Sequence, residues 1–249
     1  ALPHQGIPTN AVLIQRALGL AASGIPAFDV NATCLGFLTG LDMAASLISA
    51  GRYGTILLVA ADVPSRGTSW AQPDLKAMFG DGAAAAILRR SDRPGQGVLG
   101  ISMETYSEAA AACELRSGGT GLDPHRDLQT FLAGTWFRMN GPLAYRVSAK
   151  YMPGFLDRLF KSAGVTIADI DLVIPHQASA HALELMRRRL GFAPDKIVDI
   201  LAGRGNQVTA SIPSVLDHAI AKGIAKSGDV VLLIGTAAGI SLGGAVVRL

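Results

Sequence analysis

The chain has 249 residues, of which 49% are hydrophobic, 16% are charged and 29 are glycine. This composition suits a folded α/β protein with a large core and excludes a disordered or fibrous chain. The net charge of +3 is small for this length, so no nucleic-acid-binding surface is expected. Two cysteines, Cys34 and Cys113, do not make a disulfide framework, and no long apolar run or signal-peptide pattern is present. We therefore expect a cytoplasmic protein without a membrane span.

The first elements in chain order alternate between helices and strands. The pattern predicts a helix at Asn10–Leu20, a strand at Ala27–Val30, and a helix after Cys34 that is apolar on nearly every side. Two apolar strands follow at Thr55–Ala61 and Ala83–Leu88. A helix that is apolar all round is buried, so we expect it between two layers of the fold, with Cys34 in its first turn.

A strand at Gly97–Tyr106 and a polar loop from Ser107 to about Gln129 lead to the second part of the chain. Its predicted elements are, in order, a helix at Pro142–Ala163, a strand at Leu172–Pro175, a helix at Ala178–Leu190, a strand at Ile197–Leu201, a helix at Ala210–Lys222, and strands at Val230–Ile234 and Ser241–Arg248. Helices and strands that alternate at this spacing predict largely parallel sheets covered by helices.

The last five elements repeat the order helix, strand, helix, strand, strand that opens the chain. We therefore expect two related halves, at residues 1–106 and 142–249, joined by a connecting region at 107–141. The first half has no counterpart to the helix and strand that open the second, and the chain does not begin with methionine. We expect the 249 residues to be the larger part of a longer protein.

Cys34 is the first candidate for chemistry. The helix dipole and unpaired backbone N–H groups favour the ionised form of a thiol at a helix N-terminus. An ionised thiol is a nucleophile near neutral pH. A buried free cysteine is more often a small hydrophobic residue that fills the core, so the choice between these readings depends on partners elsewhere in the chain.

Two polar residues follow predicted apolar strands. His176 comes directly after the strand at Leu172–Pro175, and Asn206 follows the strand at Ile197–Leu201. The carboxyl ends of parallel strands meet at one edge of a sheet, where α/β folds place their chemistry. Each residue taken singly has a structural explanation, as a satisfied histidine or a helix N-cap. A strand-end set of Cys34, His176 and Asn206 is much less expected by chance.

These residues and the motifs around them resemble the ketoacyl synthase III branch of the thiolase-like condensing enzymes. The similarity extends over essentially the whole chain. Its motifs are Pro26–Val30 with Cys34, Phe79-Gly-Asp-Gly-Ala, Ile174-Pro-His-Gln-Ala, Gly205-Asn206, Ser211-Ile-Pro and the closing hairpin Gly235–Leu249. The resemblance implies a duplicated α/β/α/β/α layered fold, with mostly parallel mixed sheets around buried helices. It also implies that the absent N-terminal piece includes the opening strand and part of the coenzyme A entrance.

The resemblance implies a mechanism as well. An acyl thioester acylates Cys34, and His176 and Asn206 donate hydrogen bonds to the carbonyl of a malonyl thioester as carbon dioxide leaves. The resulting carbanion attacks acyl-Cys34 in a decarboxylative Claisen condensation that gives a 3-oxoacyl thioester. The backbone N–H groups of Cys34 and Ala238 match the oxyanion hole of this family.

Other family positions concern the acyl channel and the carrier protein. Phe79 and Ile7 resemble residues that line the channel, with Ile7 reaching into the partner subunit of a homodimer, although ordinary core packing explains both at least as well. Arg146, Arg188 and Arg189 fall where the family presents cations to acyl carrier protein, an acidic partner.

Three positions depart from the family pattern. Pro73 and Pro142 stand where the enzymes that initiate fatty-acid synthesis have an arginine and an asparagine for the coenzyme A arm, and Ser179 replaces the asparagine of His-Gln-Ala-Asn. We expect intact chemistry but altered recognition of the thioester carrier. A role in secondary metabolism, a head-to-head condensation of two acyl chains, or acyl transfer to a non-carbon acceptor would fit.

Two alternatives stay open. An acyltransferase would pass the acyl group from Cys34 to an alcohol or amine, with His176 as general base. A non-catalytic partner subunit would contribute only an interface and a carrier-docking patch, but it would need none of the three polar residues that this chain retains.

No cofactor is expected beyond the substrates, which are acyl-CoA or acyl carrier protein and a malonyl thioester. A metal site is not expected either, because the cysteines are far apart in sequence and the histidines, His4, His125, His176, His181 and His218, lack ligand spacing. Gly203-Arg-Gly205 is too short to be a phosphate-binding loop.

Overall fold

The computed structural model describes residues 2–69 and 71–249. The α-helices are α1 (Asn10–Ala17), α2 (Gly36–Ser49), α3 (Pro73–Met78), α4 (Leu128–Gly134), α5 (Gly141–Ala163), α6 (Ala180–Arg189), α7 (Leu201–Arg204) and α8 (Ser211–Ala221). The strands are β1 (Thr55–Asp62), β2 (Gly82–Arg89), β3 (Gly97–Thr105), β4 (Cys113–Glu114), β5 (Arg138–Met139), β6 (Leu172–Pro175), β7 (Val230–Ala237) and β8 (Ser241–Arg248). Short 3₁₀ turns lie at Pro64–Arg66, Ser107–Ala112, Ile167–Asp169, Pro194–Lys196 and Val208–Ala210.

Two main sheets build the layers. Strands β1 and β2 pair antiparallel, and a four-stranded sheet has the order β3-β8-β7-β6. In that sheet β6 and β7 are parallel, whereas β8 runs antiparallel to both of its neighbours. Strands β4 and β5 form a separate two-stranded ribbon.

The four-stranded sheet is covered on both faces. Side chains alternate along β7, so that Leu232 and Ile234 pack into one hydrophobic cluster with α5, while Val231 and Leu233 pack into a second cluster with α2 and α8. Helix α2 is buried because its apolar residues contact both this sheet and β1. The molecule thus has the layered α/β architecture expected from the sequence, with α2 between two sheets.

Fewer strands are parallel than the sequence led us to expect. Among the strands in the described ranges, β6 and β7 form the parallel pair, because residues 176–229 between them supply a crossover with α6 and α8. Three residues join β7 to β8, which leaves room only for a hairpin. The outer face of the β1–β2 sheet is exposed, with Leu57 47% and Ile87 72% accessible.

Two predicted strands are wrong. Residues 27–30 form no strand, and Phe28 is 54% exposed; the carboxylate of Asp29 instead accepts hydrogen bonds from Asn10 N–H (2.9 Å) and Ala11 N–H (2.7 Å) at the start of α1. Residues 197–201 make a single bridge to β6 and then turn into α7. An apolar run becomes a strand only where a neighbouring strand can take up its backbone groups.

Other boundaries differ by smaller amounts. Helix α1 ends at Ala17 instead of Leu20, and the loop after β3 contains a 3₁₀ turn and β4. Strand β3, which the sequence pattern places in the first half, pairs with β8 of the second half. The division into halves at residues 106 and 142 stays a prediction. Within the described residues, no helix is long and apolar enough to cross a membrane.

Candidate active site

Cys34 lies in a tight turn in front of α2. The helix begins at Gly36, so Cys34 precedes the first helical residue by two positions and is not in the first turn as expected. The N–H groups of Leu35 and Gly36 donate to the carbonyls of Ala32 (3.1 Å) and Thr33 (3.0 Å). Thr33 has φ +49°, a left-handed conformation that is unfavourable for a β-branched residue. The surrounding structure must therefore hold this turn in place.

The environment of Cys34 favours the protonated thiol. Burial, with a smaller contribution from the negative charge of Asp62, raises the pKa of Cys34 to about 12. The effect of a helix dipole falls off within the first turn, and here it does not offset the loss of hydration. The expectation of a thiolate near neutral pH is therefore not supported, because the raised pKa keeps Cys34 in the thiol form at pH 7.

His176 follows β6 and is held by the neighbouring strand. Its N–H donates to the carbonyl of Ile234 at 2.7 Å, which continues the parallel ladder between β6 and β7. The residue is 5% exposed, and burial lowers the pKa of His176 to about 4. Its Nδ1 makes no hydrogen bond to any described residue. A neutral imidazole can accept a proton at one ring nitrogen and donate a hydrogen bond from the other.

Asn206 is fixed through its backbone and its side chain. Its N–H donates to the carbonyl of Met78 (2.8 Å), and its carbonyl accepts from the N–H of Gly80 (3.1 Å). Its side-chain Oδ1 accepts the N–H of Val208 (2.9 Å), and Nδ2 donates to the carbonyl of Ala178 (3.3 Å), two residues after the histidine. An amide nitrogen carries two hydrogens, so a second N–H remains for a ligand.

The Phe79-Gly-Asp-Gly motif supports Asn206. A Cβ on Gly80 would overlap the carbonyl oxygen of Arg204, and a Cβ on Gly82 would overlap the side chain of Gln207. The Nε2 of Gln207 donates to the carbonyl of Asp81 at 3.2 Å. The two glycines therefore permit close approach to the Asn206 loop, so this motif acts on the geometry of the site.

The side chain of Gln177 connects the end of β6 to residues 197–201, which the sequence predicts as a strand. It is 1% exposed, and its Nε2 donates to the carbonyls of Pro175 (3.0 Å) and Val198 (3.3 Å). Its Oε1 accepts the N–H of Ile200 at 3.0 Å. The carbonyl of Val198 and the N–H of Ile200, which would pair with a neighbouring strand in a sheet, therefore bond to the side chain of Gln177 next to His176.

The turns that carry the three polar residues converge. A Cβ on Gly235 would lie 2.8 Å from Cβ of His176 and 3.2 Å from Cδ2 of Leu35, the neighbour of Cys34. On the other side, Thr209 Oγ1 donates to the carbonyl of Thr33 at 2.9 Å. The structure therefore brings the Cys34 turn next to His176 and next to the Asn206 loop.

The hairpin between β7 and β8 carries Ala238. Its neighbour Ala237 is 6% exposed and belongs to the buried cluster against which Cys34 packs. Ala238 is the first residue after the end of β7 and directly follows Ala237. That its N–H completes an oxyanion hole stays a prediction.

The predicted pocket residues differ in their surroundings. Phe79 is half-buried next to the Asn206 backbone, and its ring meets that of Phe137 edge-on at 5.5 Å. Ile7 is 89% exposed and lies outside both core clusters. A role for Ile7 in an acyl channel therefore needs a second subunit and stays a prediction.

The three arginines predicted to dock a carrier protein are at the surface. The side chain of Arg188 is 73% exposed and binds Glu184 at 2.7 Å, so its charge is partly neutralised. Arg146 lies near Glu108 and Lys150, and Arg189 is exposed at the end of α6. The described residues contain no group of three or more His, Cys, Asp or Glu side chains placed to hold a metal ion.

Sequence reasoning missed Asp62, Gln177 and Thr209. All three are buried polar residues, with 3%, 1% and 8% exposure, and all contact backbone groups around the site. Asp62 closes an apolar strand, which is a signal that the sequence did contain. For Thr209 the sequence held no such signal, because its partners are remote in the chain.

Comparison with known proteins finds relatives over nearly the whole chain. The family model for 3-oxoacyl-[acyl-carrier-protein (ACP)] synthase III matches residues 28–107, and the model for the C-terminal part of the same synthase matches residues 160–249. The beta-ketoacyl-[acyl-carrier-protein] synthase III of Symbiobacterium thermophilum is 33% identical over 247 residues, which cover 99% of this chain and 73% of that protein. The Synechocystis protein of the same name is 34% identical over 92% of this chain and 69% of its own length.

Solved structures show the same relationship. The 3-oxoacyl-[acyl-carrier-protein] synthase III of Aquifex aeolicus matches with a TM-score of 0.86 and 29% identity, over 99% of this chain and 74% of that one. The enzyme from Pseudomonas aeruginosa matches with a TM-score of 0.87 and 29% identity, over 100% and 74%. The similarity to OleA of Xanthomonas campestris, with a TM-score of 0.84 at 21% identity, concerns the fold alone.

These matches confirm the layered thiolase-like α/β fold and the resemblance to ketoacyl synthase III. One relative is 33% identical over 99% of this chain and 73% of its own length. The chain therefore belongs to the 3-oxoacyl-[acyl-carrier-protein] synthase III family of condensing enzymes, which are acyltransferases.

Proposed function

We propose that this condensing enzyme uses Cys34 as its nucleophile and His176 with Asn206 as its electrostatic catalysts. The observation that carries the proposal is the convergence of three turns: the Cys34 turn and His176 both lie against Gly235, and Thr209 bonds the Cys34 turn to the Asn206 loop. These turns carry a thiol, an imidazole that burial keeps neutral, and an amide with a second N–H. In this arrangement the imidazole acts as a base in the first step and as a donor in the second.

In the first step the thiol is acylated. His176 accepts the proton of Cys34 in concert with the attack of the sulfur on the carbonyl of an acyl thioester, because a separate thiolate and imidazolium are disfavoured when the thiol has a pKa of about 12 and the imidazole one of about 4. The backbone N–H of Cys34 with that of Ala238 binds the oxyanion. The C–S bond of the donor then breaks. The leaving thiolate takes the proton back from the imidazolium, which is a strong acid in this site because burial lowers the pKa of His176 to about 4.

In the second step a malonyl thioester replaces the first carrier. An N–H of His176 and Nδ2–H of Asn206 donate to its thioester carbonyl and stabilise the enolate that forms when carbon dioxide leaves. The carbanion attacks the acyl carbon, the bond to Cys34 breaks, and the product is a 3-oxoacyl thioester. The released thiolate takes a proton from solvent, so the resting thiol is restored.

The carrier and the assembly belong to the same proposal. Relatives at 33% and 34% identity carry acyl carrier protein in their names. We infer that Arg146, Arg188 and Arg189 attract such an acidic partner, that the enzyme works in the cytoplasm as a homodimer, and that it needs no cofactor. Phe79 lines the acyl channel, and Ile7 lines that of the partner subunit.

Mass spectrometry of the intact protein tests the nucleophile. The protein is incubated with a panel of acyl-CoA and acyl-carrier-protein donors, and a malonyl thioester is then added. We expect an added acyl mass in the wild type and in Cys113→Ala, and none in Cys34→Ala. Because Cys113 is the second thiol of the chain, it provides the matched control. Absence of a Cys34-dependent adduct with every donor would contradict the proposal.

The malonyl step tests the other two residues. His176→Ala and Asn206→Ala are expected to slow discharge of the acyl-enzyme by about 10²–10³-fold, the usual effect of removing one donor from a site of developing charge. Carbon dioxide release should equal the loss of acyl mass. Discharge by an alcohol or amine without carbon dioxide would instead identify the acyltransferase, in which neutral His176 acts as general base.

A further inference from the structure

We infer that Thr209 is a positioning residue that orients the peptide group between Thr33 and Cys34, and that Asp62 holds Thr209 in place for this purpose. The inference rests on the proposed function, because it assigns a cause to the geometry of the nucleophile turn. It follows from one hydrogen bond that connects two strained loops.

The strain is visible at two residues. Among the residues that the structure describes, Thr33 with φ +49° and Val208 with φ +52° are the non-glycine residues in the left-handed region. Thr33 precedes Cys34, and Val208 lies between Asn206 and Thr209. Both are β-branched, so this conformation persists only where neighbouring contacts enforce it.

Thr209 supplies such contacts with both branches of its side chain. Its Oγ1–H donates to the carbonyl of Thr33 at 2.9 Å. Its Cγ2 would be 3.0 Å from a Cβ on Gly36, so it packs against the backbone at the first residue of α2. Thr209 therefore contacts the nucleophile turn on both sides of Cys34.

Asp62 holds the backbone of Thr209. Its Oδ2 accepts the N–H of Thr209 at 3.0 Å, and the residue is 3% exposed at the end of β1. The carboxylate also acts on the thiol, because its charge contributes to the raised pKa of Cys34. β1, the 208–210 turn and the turn before α2 thus meet at one point.

The hydrogen bond to Thr33 has a direct consequence for catalysis. The carbonyl of Thr33 and the N–H of Cys34 belong to one planar trans peptide group and point in opposite directions. Fixing the carbonyl on one side therefore fixes the N–H on the other. That N–H is the proposed donor to the oxyanion, so Thr209 sets the direction of the N–H bond without contacting the substrate.

Two substitutions separate the hydroxyl from the shape of the side chain. Thr209→Val keeps the volume and both branches but cannot donate to Thr33, whereas Thr209→Ser keeps the hydroxyl and loses the methyl group. In single-turnover acylation of Cys34, we expect Thr209→Val to lose at least about tenfold in rate, with KM for the donor changed by less than about threefold. Thr209→Ser should keep most of the rate.

A second reaction of the same thiol shows whether the substitution changes the access or ionisation of Cys34. Alkylation of Cys34 by iodoacetamide forms a C–S bond with loss of iodide and develops no oxyanion, so Thr209→Val should leave its rate unchanged. Unfolding in urea shows whether the variant is folded under the assay conditions. Equal acylation rates in Thr209→Val and wild type would overturn the inference, as would equal losses in the valine and serine variants or a parallel loss of both reactions.

Hydrogen exchange decides the inference even if the proposed function fails. If wild-type Cys34 takes no acyl group, the proposed nucleophile is wrong. Exchange of the backbone amides in a peptide covering residues 32–36 still reports on the turn. It should be faster in Thr209→Val than in wild type and Thr209→Ser, and equal exchange in all three would overturn the positioning role.

Discussion

The pH dependence of Cys34 reactivity follows from the surroundings of this half-buried residue, which strip water from its thiol. Burial raises the pKa of Cys34 from 9.0 to about 12. At pH 8 an ordinary thiol of pKa 9 is about one-tenth ionised, whereas a thiol of pKa 12 is ionised to about one part in 10⁴. A thiolate of higher pKa is also more nucleophilic, which recovers about 20-fold. We therefore expect Cys34 to react about 50-fold more slowly than an ordinary thiol at pH 8.

The assay follows alkylation of Cys34 by iodoacetamide between pH 6 and pH 9.5, in a Cys113→Ala background so that one thiol remains. The shape of the curve is decisive because restricted access lowers the rate equally at every pH. We expect a tenfold rise per pH unit without a plateau. Asp62→Asn removes the charge that contributes to the raised pKa, so its curve should shift to lower pH.

A plateau above pH 7 would refute this reasoning. It would mean that the thiolate is already formed near neutral pH, as expected for a cysteine in the first turn of a helix. The catalytic step would then need no base, and His176 would act only as a hydrogen-bond donor.

Three further predictions concern stability. Gly80→Ala places a Cβ on the carbonyl oxygen of Arg204, so it should disturb the Asn206 loop and lower the free energy of unfolding in urea by about 2–3 kcal/mol. Gly121 has open space around it, so Gly121→Ala should leave that free energy unchanged. Burial lowers the pKa of His176 from 6.5 to about 4, so the unfolded chain binds a proton at this residue more strongly than the folded chain does. The free energy of unfolding should therefore fall by about 2 kcal/mol from pH 7 to pH 5, and His176→Asn should lack this loss. Gln177→Leu leaves a buried backbone N–H and two carbonyls without their partner and should cost about 3 kcal/mol, and an unchanged urea midpoint would contradict this.

Local pattern was sufficient for most of the elements and for the choice of candidate residues. The strands Leu172–Pro175 and Ser241–Arg248 have their predicted bounds, and α5 differs from its prediction by one residue. The short strand is a continuous apolar run that ends at a polar residue, and the helix has a long periodic pattern. His176 and Asn206 could be selected because polar residues after apolar strands are local features. Their catalytic roles remain predictions that the experiments above address.

The two wrong strands have a cause that composition does not contain, which is whether a neighbouring strand is in place to pair with the segment. Residues 197–201 have strand-like composition, but Gln177 takes the backbone groups of Val198 and Ile200, so the segment does not extend the sheet. Three of the four residues at 27–30 are apolar, but pairing, which the composition does not determine, is what makes a strand. The direction of the strands likewise depended on which segments became neighbours.

The sequence by itself therefore determined the layered α/β class, the family and the three candidate side chains, since residue type and spacing carry that information. The tertiary structure decided the protonation states of Cys34 and His176, because desolvation depends on everything packed around a group. It also brought Gln207 into contact with Asp81 and Thr209 into contact with Thr33, across 126 and 176 residues of chain. Chemistry at this site is selected by local sequence, but its geometry and charge are set by residues that only folding brings together.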